Sequence, residues 1–306
     1  MDVLRHFPVR KTKAQKQAFR EAVTAYAGSL GYESSVESGS FGVRNVLFGH
    51  PETARVLITA HYDTCARLPF PNLITPCSFW GFIGVQLLVT AAMFLPAIVI
   101  RWMACLFLDE LIAQLLFLVV LWADILLMLA GPANPSNAND NTSGVVTVLE
   151  LMRTLPENLR GDVCFVLFDL EEAGLLGSAA YRKAHKKASD NQLVLNIDCV
   201  GEGDEIRFFP TRHLLKNKRR VAPLYAVCGY FGRKNLMVAD KGFTIYPSDQ
   251  MNFPYGVGIA ALNRKKKTLY LGRIHTPRDT LLDETNVNIL RAALTTYVSR
   301  TAAKKG

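Results

Sequence analysis

The chain has 306 residues, half of them hydrophobic and a fifth charged, with 35 Lys and Arg against 26 Asp and Glu for a formal net charge of +9. That length and apolar fraction allow a full core in one large α/β domain or two small ones. The positive balance asks for an anionic partner. No nucleic-acid recognition motif or aromatic-basic array accompanies it, which argues against nucleic acid and leaves a membrane surface.

The N-terminal segment, Met1 to Arg20, is polar and basic without an apolar h-region, so no secretory signal is expected. From Lys11 to Leu30 the residues Ala14, Ala18, Phe19, Ala22, Val23 and Tyr26 recur at helical spacing, and Gly28 and Gly31 close the helix. Gly42 to Phe48 and Ala54 to Ala60 read as strands flanking the turn Gly49-His50-Pro51-Glu52. The second runs directly into His61-Tyr62-Asp63-Thr64, a strand that ends in possible ligands.

Between Phe79 and Ala130 the composition changes. Phe79 to Ile100 carries no charge over 22 residues, and Leu111 to Ala130 is apolar apart from Gln114 and Asp124. At ~1.5 Å per residue each run suffices to cross a hydrocarbon core of ~30 Å. Trp80 and Trp102 bracket the first run as an interfacial belt would. The alternative is a buried helical pair or a hydrophobic dimerisation flap. Asp124 is expensive inside a span and is expected near an interface or shielded by the first helix. A two-helix hairpin returns the chain to the side it left, and the basic N-terminal segment argues for that side being the cytoplasm. The six cysteines form no CxxC pairs and read as reduced thiols, not a disulfide framework.

After the hairpin, 131–137 reads as a loop and Val145 to Leu155 as an apolar helix, with Thr142 or Ser143 available as its cap. Val163 to Phe168 is an uncharged, β-favouring run that reads as a central strand buried on both faces, and Glu171 and Glu172 follow at its carboxyl end. Open α/β sheets place their chemistry there. Adjacent carboxylates repel, so a site keeps two when a cation holds one and the other accepts a proton. Ser178 to Lys187 reads as a basic helix, Leu193 to Ile197 as a strand ending in Asp198, Ile206 to Phe209 and Ala260 to Leu262 as further strands, and Thr285 to Arg300 as the closing helix. The alternation predicts an α/β fold: a mostly parallel mixed sheet sandwiched by helices, formed by residues 1–71 and 131–306 and interrupted by a membrane hairpin at 72–130.

Four loops at strand ends thus offer His61 and Asp63, Asp140, Glu171 and Glu172, and Asp198, and a fifth loop a histidine beside a proline turn, His275. Imidazole nitrogen with carboxylate oxygen suits zinc, and five ligands with a bridging water suit two ions. His61-Tyr62-Asp63, Asn137-Ala138-Asn139-Asp140-Asn141-Thr142-Ser143-Gly144, Glu171-Glu172, Asn196-Ile197-Asp198 and Ile274-His275-Thr276-Pro277 stand in the order of a known family's motifs. The chain resembles the di-zinc aminopeptidases related to bacterial leucyl aminopeptidase, a family that includes glutamate carboxypeptidase and the inactive transferrin-receptor ectodomain.

The resemblance covers most of the chain outside the hairpin and implies the zinc-exopeptidase, phosphorylase/hydrolase-like fold. By that resemblance Asp140 bridges two Zn2+ ions, Glu172 and His275 complete one, and His61 and Asp198 complete the other. Glu171 is the expected general base, and Asp63 the acid that orients His61, a role that fixes its tautomer. Ser248-Asp249 resembles a further segment near the substrate pocket, and Tyr246 is a candidate oxyanion donor. The implied activity is a membrane-anchored aminopeptidase on peptides. An amidase for lipidated amino acids or lipopeptides, an inactive scaffold and a glutaminyl-cyclase-like transferase are the alternatives. Relatives join the first histidine motif to the bridging aspartate by a short loop; here the hairpin lies between them, which places the site at the bilayer surface. The clusters 216–220 and 264–267 are candidates for headgroup contact.

Overall fold

The computed structural model describes residues 1–68 and 72–302. Its ten described strands are β1 (Ser34–Ser38), β2 (Arg44–Phe48), β3 (Val56–His61), β4 (Val163–Phe168), β5 (Leu193–Ile197), β6 (Glu205–Pro210), β7 (Gly229–Phe231), β8 (Lys234–Val238), β9 (Gly256–Lys265) and β10 (Thr268–Tyr270). They form one sheet in the order β1-β2-β4-β3-β5-β9-β6-β8-β7, with β10 on β9. The central strands β4, β3, β5 and β9 are parallel, and β2 and β6 flank them antiparallel.

The uncharged runs become central strands because every position of β3, β4 and β5 is buried. Side chains alternate between two cores. Val56, Ile58, Val163 and Phe165 enter one; Leu57, Cys164, Val166 and Phe168 enter the other. Coverage of both faces is what a parallel sheet requires. α1 (Lys13–Ser29) opens with a capping box, in which Thr12 accepts from Gln15 N and the Gln15 side chain from Thr12 N, and buries Phe19, Val23 and Ala27.

The hairpin consists of α2 (Phe79–Ala104) and α3 (Glu110–Ala130), with mean hydropathies of 2.3 and 2.5 over their most apolar windows. Each is long and apolar enough to cross a membrane. Neither is a core helix, for only 6% of each window is buried within the protein. α2 continues through Arg101, whose guanidinium donates to Gln114 and Glu110 of α3. At its base, Ala66 pairs with Ala133 and Ile74 with Leu271. The expected boundary at residue 71 falls among 69–71, outside the described residues.

Among the further described helices, α4 (Ser143–Thr154), α5 (Leu176–Ala184) and α6 (Glu284–Ala302) cover the sheet. α4 departs from the expected capping. Neither Thr142 nor Ser143 caps it; Asn141 Oδ1 accepts from Gly144 N at 2.9 Å, while Thr142 Oγ1 accepts from Arg10 and Ser143 Oγ donates to Asn139 O. α5 starts two residues before the expected Ser178 and breaks before Lys187. β9 begins at Gly256, well before Ala260, because Gly256 and Gly258 mask its β-character. The polar edge strand β1 and the short β7, β8 and β10 carry too little apolar pattern to show in sequence.

Candidate metal centre

Register brings the site together. His61 lies opposite Phe168 across β3 and β4, and Thr59 lies opposite Asn196 across β3 and β5. The carboxyl ends of the three strands are therefore level, which places His61 beside the Glu171-Glu172 loop and Asp198. Asp140 arrives differently from expectation: it stands at the entry to α4, not after a strand. Asp279 accepts from Asn139 N and Asp140 N at 2.8 and 3.0 Å, and Asn141 Nδ2 donates to Ile197 O at 2.9 Å. A Cβ on Gly144 would collide with Asn141 Oδ1 and Ile197 O, so this approach needs glycine.

Asp140 is the hinge of the arrangement. Its Oδ1 lies 3.2 Å from His61 Nε2 and its Oδ2 3.2 Å from His275 Nε2. Asp198 Oδ1 joins His61 at 3.5 Å, and Glu172 Oε2 joins His275 at 3.3 Å. Two groups of donors thus share one carboxylate. Leu170, Cys199 and His275, each in or next to a ligand segment, hold φ of 55°, 58° and 61°. For non-glycine residues such backbone costs free energy and persists only where surrounding contacts fix it.

Asp63 does two things. Its carboxylate lies 3.6 Å from His61 Nδ1, whose nearer neighbour is the Asp63 carbonyl at 3.1 Å, and it accepts from Glu171 N and Glu172 N at 3.0 and 3.3 Å. It therefore ties the histidine strand to the glutamate loop. Behind them Asp169 pairs with Lys16 at 2.7 Å and accepts from Arg44 N, which fixes the end of β4.

The donor set fits divalent cations. Glu172 Oε1 and Asp198 Oδ1 are buried without a hydrogen-bond partner. Burial pushes the Glu171 carboxyl well up, His61 opposes it, and Glu172 and Asp198 push it further. Glu172 is also raised, first by burial. Burial disfavours charge on His275, yet Glu172 and Asp140 hold its pKa up at about 9, and His61 is likewise raised by Glu171, Asp140 and Asp198. So many carboxylates together are stable only with cations, protons in the ion-free protein and metal in the loaded one. Residues fit to hold zinc are His61, Asp140 and Asp198 on one side and Glu172 and His275 on the other, with Asp140 common to both.

Two side chains in the site region carried no sequence signal. The Cys65 thiol, buried, lies among Glu172 and His275 within ligand range. Arg10 is wholly buried behind the site; its Nε donates to Tyr62 O and its Nη1 to Thr142 Oγ1, and it faces the charges of Asp63 and Asp140. Tyr246, the candidate oxyanion donor, lines the pocket of the site; here its hydroxyl donates to Asp198 O at 3.1 Å and its ring stacks on Phe209 at 5.2 Å. Asp249 is fully buried near the centre, its carboxyl raised by burial against the pull of His61. Of the basic clusters, Arg264 is paired with Glu205.

The model of peptidase family M28 matches residues 124–298, more than half of the chain. The chain belongs to peptidase family M28. The family is one of zinc-dependent peptidases, which makes this M28 protein a hydrolase. No curated protein matches the chain. Among solved structures, glutaminyl cyclase from Porphyromonas gingivalis superposes with a TM-score of 0.64 at 16% identity, covering 96% of this chain and 93% of its own. A leucine aminopeptidase precursor from Bacteroides thetaiotaomicron gives 0.59 at 15% identity, with 95% and 91% covered. The LapA aminopeptidase of Legionella pneumophila gives 0.57 at 13% identity, with 97% and 69% covered. These likenesses establish the zinc-exopeptidase fold for this M28 peptidase.

Proposed function

We propose that this M28 peptidase is a membrane-anchored, two-zinc aminopeptidase that releases N-terminal residues from peptides. The observation that carries the reading is Asp140, whose two oxygens face two different histidines at equal distance, each backed by a further carboxylate. Two ions held by His61, Asp140 and Asp198 and by Asp140, Glu172 and His275 would supply a polarised carbonyl and a water of pKa near ~7. Glu171, buried among carboxylates that raise its proton affinity, takes the proton of the attacking water and passes it to the leaving amine. Asp63 keeps the loop that carries Glu171 and Glu172 in register with His61 through its two backbone hydrogen bonds. The amide carbon gains the water oxygen, the C–N bond breaks, and the amine leaves protonated.

The glutaminyl-cyclase reading shares the fold, but such relatives are expected to work with one metal, and both donor groups are complete here. α2 and α3 serve as the anchor, with the catalytic domain on the cytoplasmic face. The test is release of the N-terminal residue from unblocked, N-acetylated and N-terminal glutamine peptides by detergent-purified, zinc-loaded protein. Cleavage confined to unblocked peptides is expected, with Glu171→Gln keeping its metals and losing on the order of 10²–10⁴ in turnover. Cyclisation of the glutamine peptide without hydrolysis, or a fully active Glu171→Gln, would overturn the assignment.

A further inference from the structure

The pocket containing Asp140, Glu171, Glu172, Asp198 and His275 encloses about 310 Å³, and one of its walls is not part of the catalytic domain. Phe82, Val85 and Gln86 of α2 form that wall. The helix is fastened to the site. Ile245 N donates to Pro76 O at 2.9 Å, and the rings of Phe79 and Phe82 lie 5.4 and 5.6 Å from Phe243, a few residues before Tyr246 of the pocket. A simple tether has no need to enter the active site.

The same face of α2 continues away from the metals. Phe82, Gln86, Val89 and Met93 follow one another at steps of four, three and four, which keeps them on one side of a helix. Met93 and Ala92 then line a second, mainly apolar cavity of about 470 Å³ against Leu127 and Met128 of α3, with Arg67 and Asp124 as its charged lining. From Phe82 to Met93 the strip spans ~16 Å at ~1.5 Å per residue and carries no charge. The two ends of the path differ in character. The inner end is crowded with carboxylates, Asp140, Glu171, Glu172 and Asp198, whereas the outer end is mainly apolar, with Arg67 and Asp124 as its only charged lining, and leads between two helices able to cross a bilayer.

We infer that the substrate is a lipophilic peptide whose apolar tail lies along the Phe82-Gln86-Val89-Met93 strip of α2 while its free amino terminus reaches the carboxylate end of the pocket. Charge sets this orientation: an ammonium gains from the four carboxylates of the inner end, whereas the outer cavity offers one, Asp124, beside the cationic Arg67, and an alkyl chain gains from the uncharged strip. The inference rests on the aminopeptidase reading. The hydrolysis balances as before, giving a free amino acid and a peptide one residue shorter that keeps its tail, so the product stays at the membrane.

The test uses the full chain in nanodiscs with zinc and two peptides, Leu-Gly-Gly amide and the same peptide with a dodecyl amide carrying a photoactivatable diazirine near the chain end. The tailed peptide is expected to show at least a tenfold higher kcat/KM, and Val89→Phe, which fills the strip, to reduce that ratio towards one. Irradiation without turnover, with Glu171→Gln, is expected to attach the tail to the Val89 and Met93 region. Equal rates with labelling spread evenly over the exposed face of α3 at Leu118 and Leu126 would overturn the inference, since the tail would then merely dissolve in lipid. Faster cleavage of an N-dodecanoyl peptide than of either unblocked one would overturn the orientation. Labelling of the strip without hydrolysis of any peptide would uphold the tail site and sink the aminopeptidase reading instead.

Discussion

At the scale of single residues, Asp140 makes the sharpest claim, because each of its oxygens serves a different histidine. Asp140→Ala should lose both ions together, whereas Asp198→Ala should lose only the one it shares with His61. Metal content per chain, measured by mass spectrometry, distinguishes the two; Asp140→Ala retaining two ions would refute the shared role. The raised histidines give a second outcome. In the ion-free protein His275 holds its proton up to about pH 9 and His61 is raised as well, so zinc must displace protons to bind. Apparent zinc affinity should therefore rise with pH through neutrality towards 9, with proton release on binding. Calorimetry in buffers of different ionisation enthalpy reads that release, and a pH-independent affinity would contradict it. The residues that the fold gathers were legible in sequence because ionisable groups stand out at the ends of uncharged runs. Cys65 and Arg10 were not, because nothing local distinguishes a cysteine beside a metal group from one in a core, or a buried arginine from a surface one.

At the scale of elements, legibility followed burial. β3, β4 and β5 are uncharged and buried at every position, so their sequence shows them to within a residue or two. β1 is exposed along most of its length and takes its place from pairing with β2, a long-range fact that its Ser-Ser-Val-Glu-Ser sequence does not contain. The α4 cap failed for a related reason: Thr142 and Ser143 are good capping residues by type, but Arg10, Asn139 and Val200 already occupy their hydroxyls. The hairpin is an element on which the cores of the sheet do not depend. The Ala66–Ala133 pairing holds its two ends close, and the core clusters of the sheet draw almost nothing from it. Replacing 79–130 by a flexible linker should leave a folded domain that binds zinc but remains soluble after membrane sedimentation. Loss of the cooperative unfolding transition would show instead that the helices are needed for the fold.

At the scale of the whole molecule, strand order was beyond the sequence, since alternation predicts a parallel sheet but not which strands neighbour which. Sidedness is open to a direct argument. Both ends of the hairpin emerge at the catalytic domain, so the turn between α2 and α3 must lie on the opposite face if both helices cross. The turn, residues 105–109, carries a single charge, Asp109, and the proposed cytoplasmic side for the catalytic domain rests on the basic N-terminal segment. That turn also contains Cys105, an exposed free thiol, whereas Cys65, Cys164 and Cys199 are buried. A membrane-impermeant maleimide applied to intact cells should therefore label the protein, and Cys105→Ser should abolish the labelling while Cys228→Ser leaves it unchanged. Labelling of Cys105 that appears only after permeabilisation would mean either that the domain faces outward or that the helices re-enter without crossing. Labelling of Cys228 in intact cells separates those two outcomes, because only an outward-facing domain presents it there.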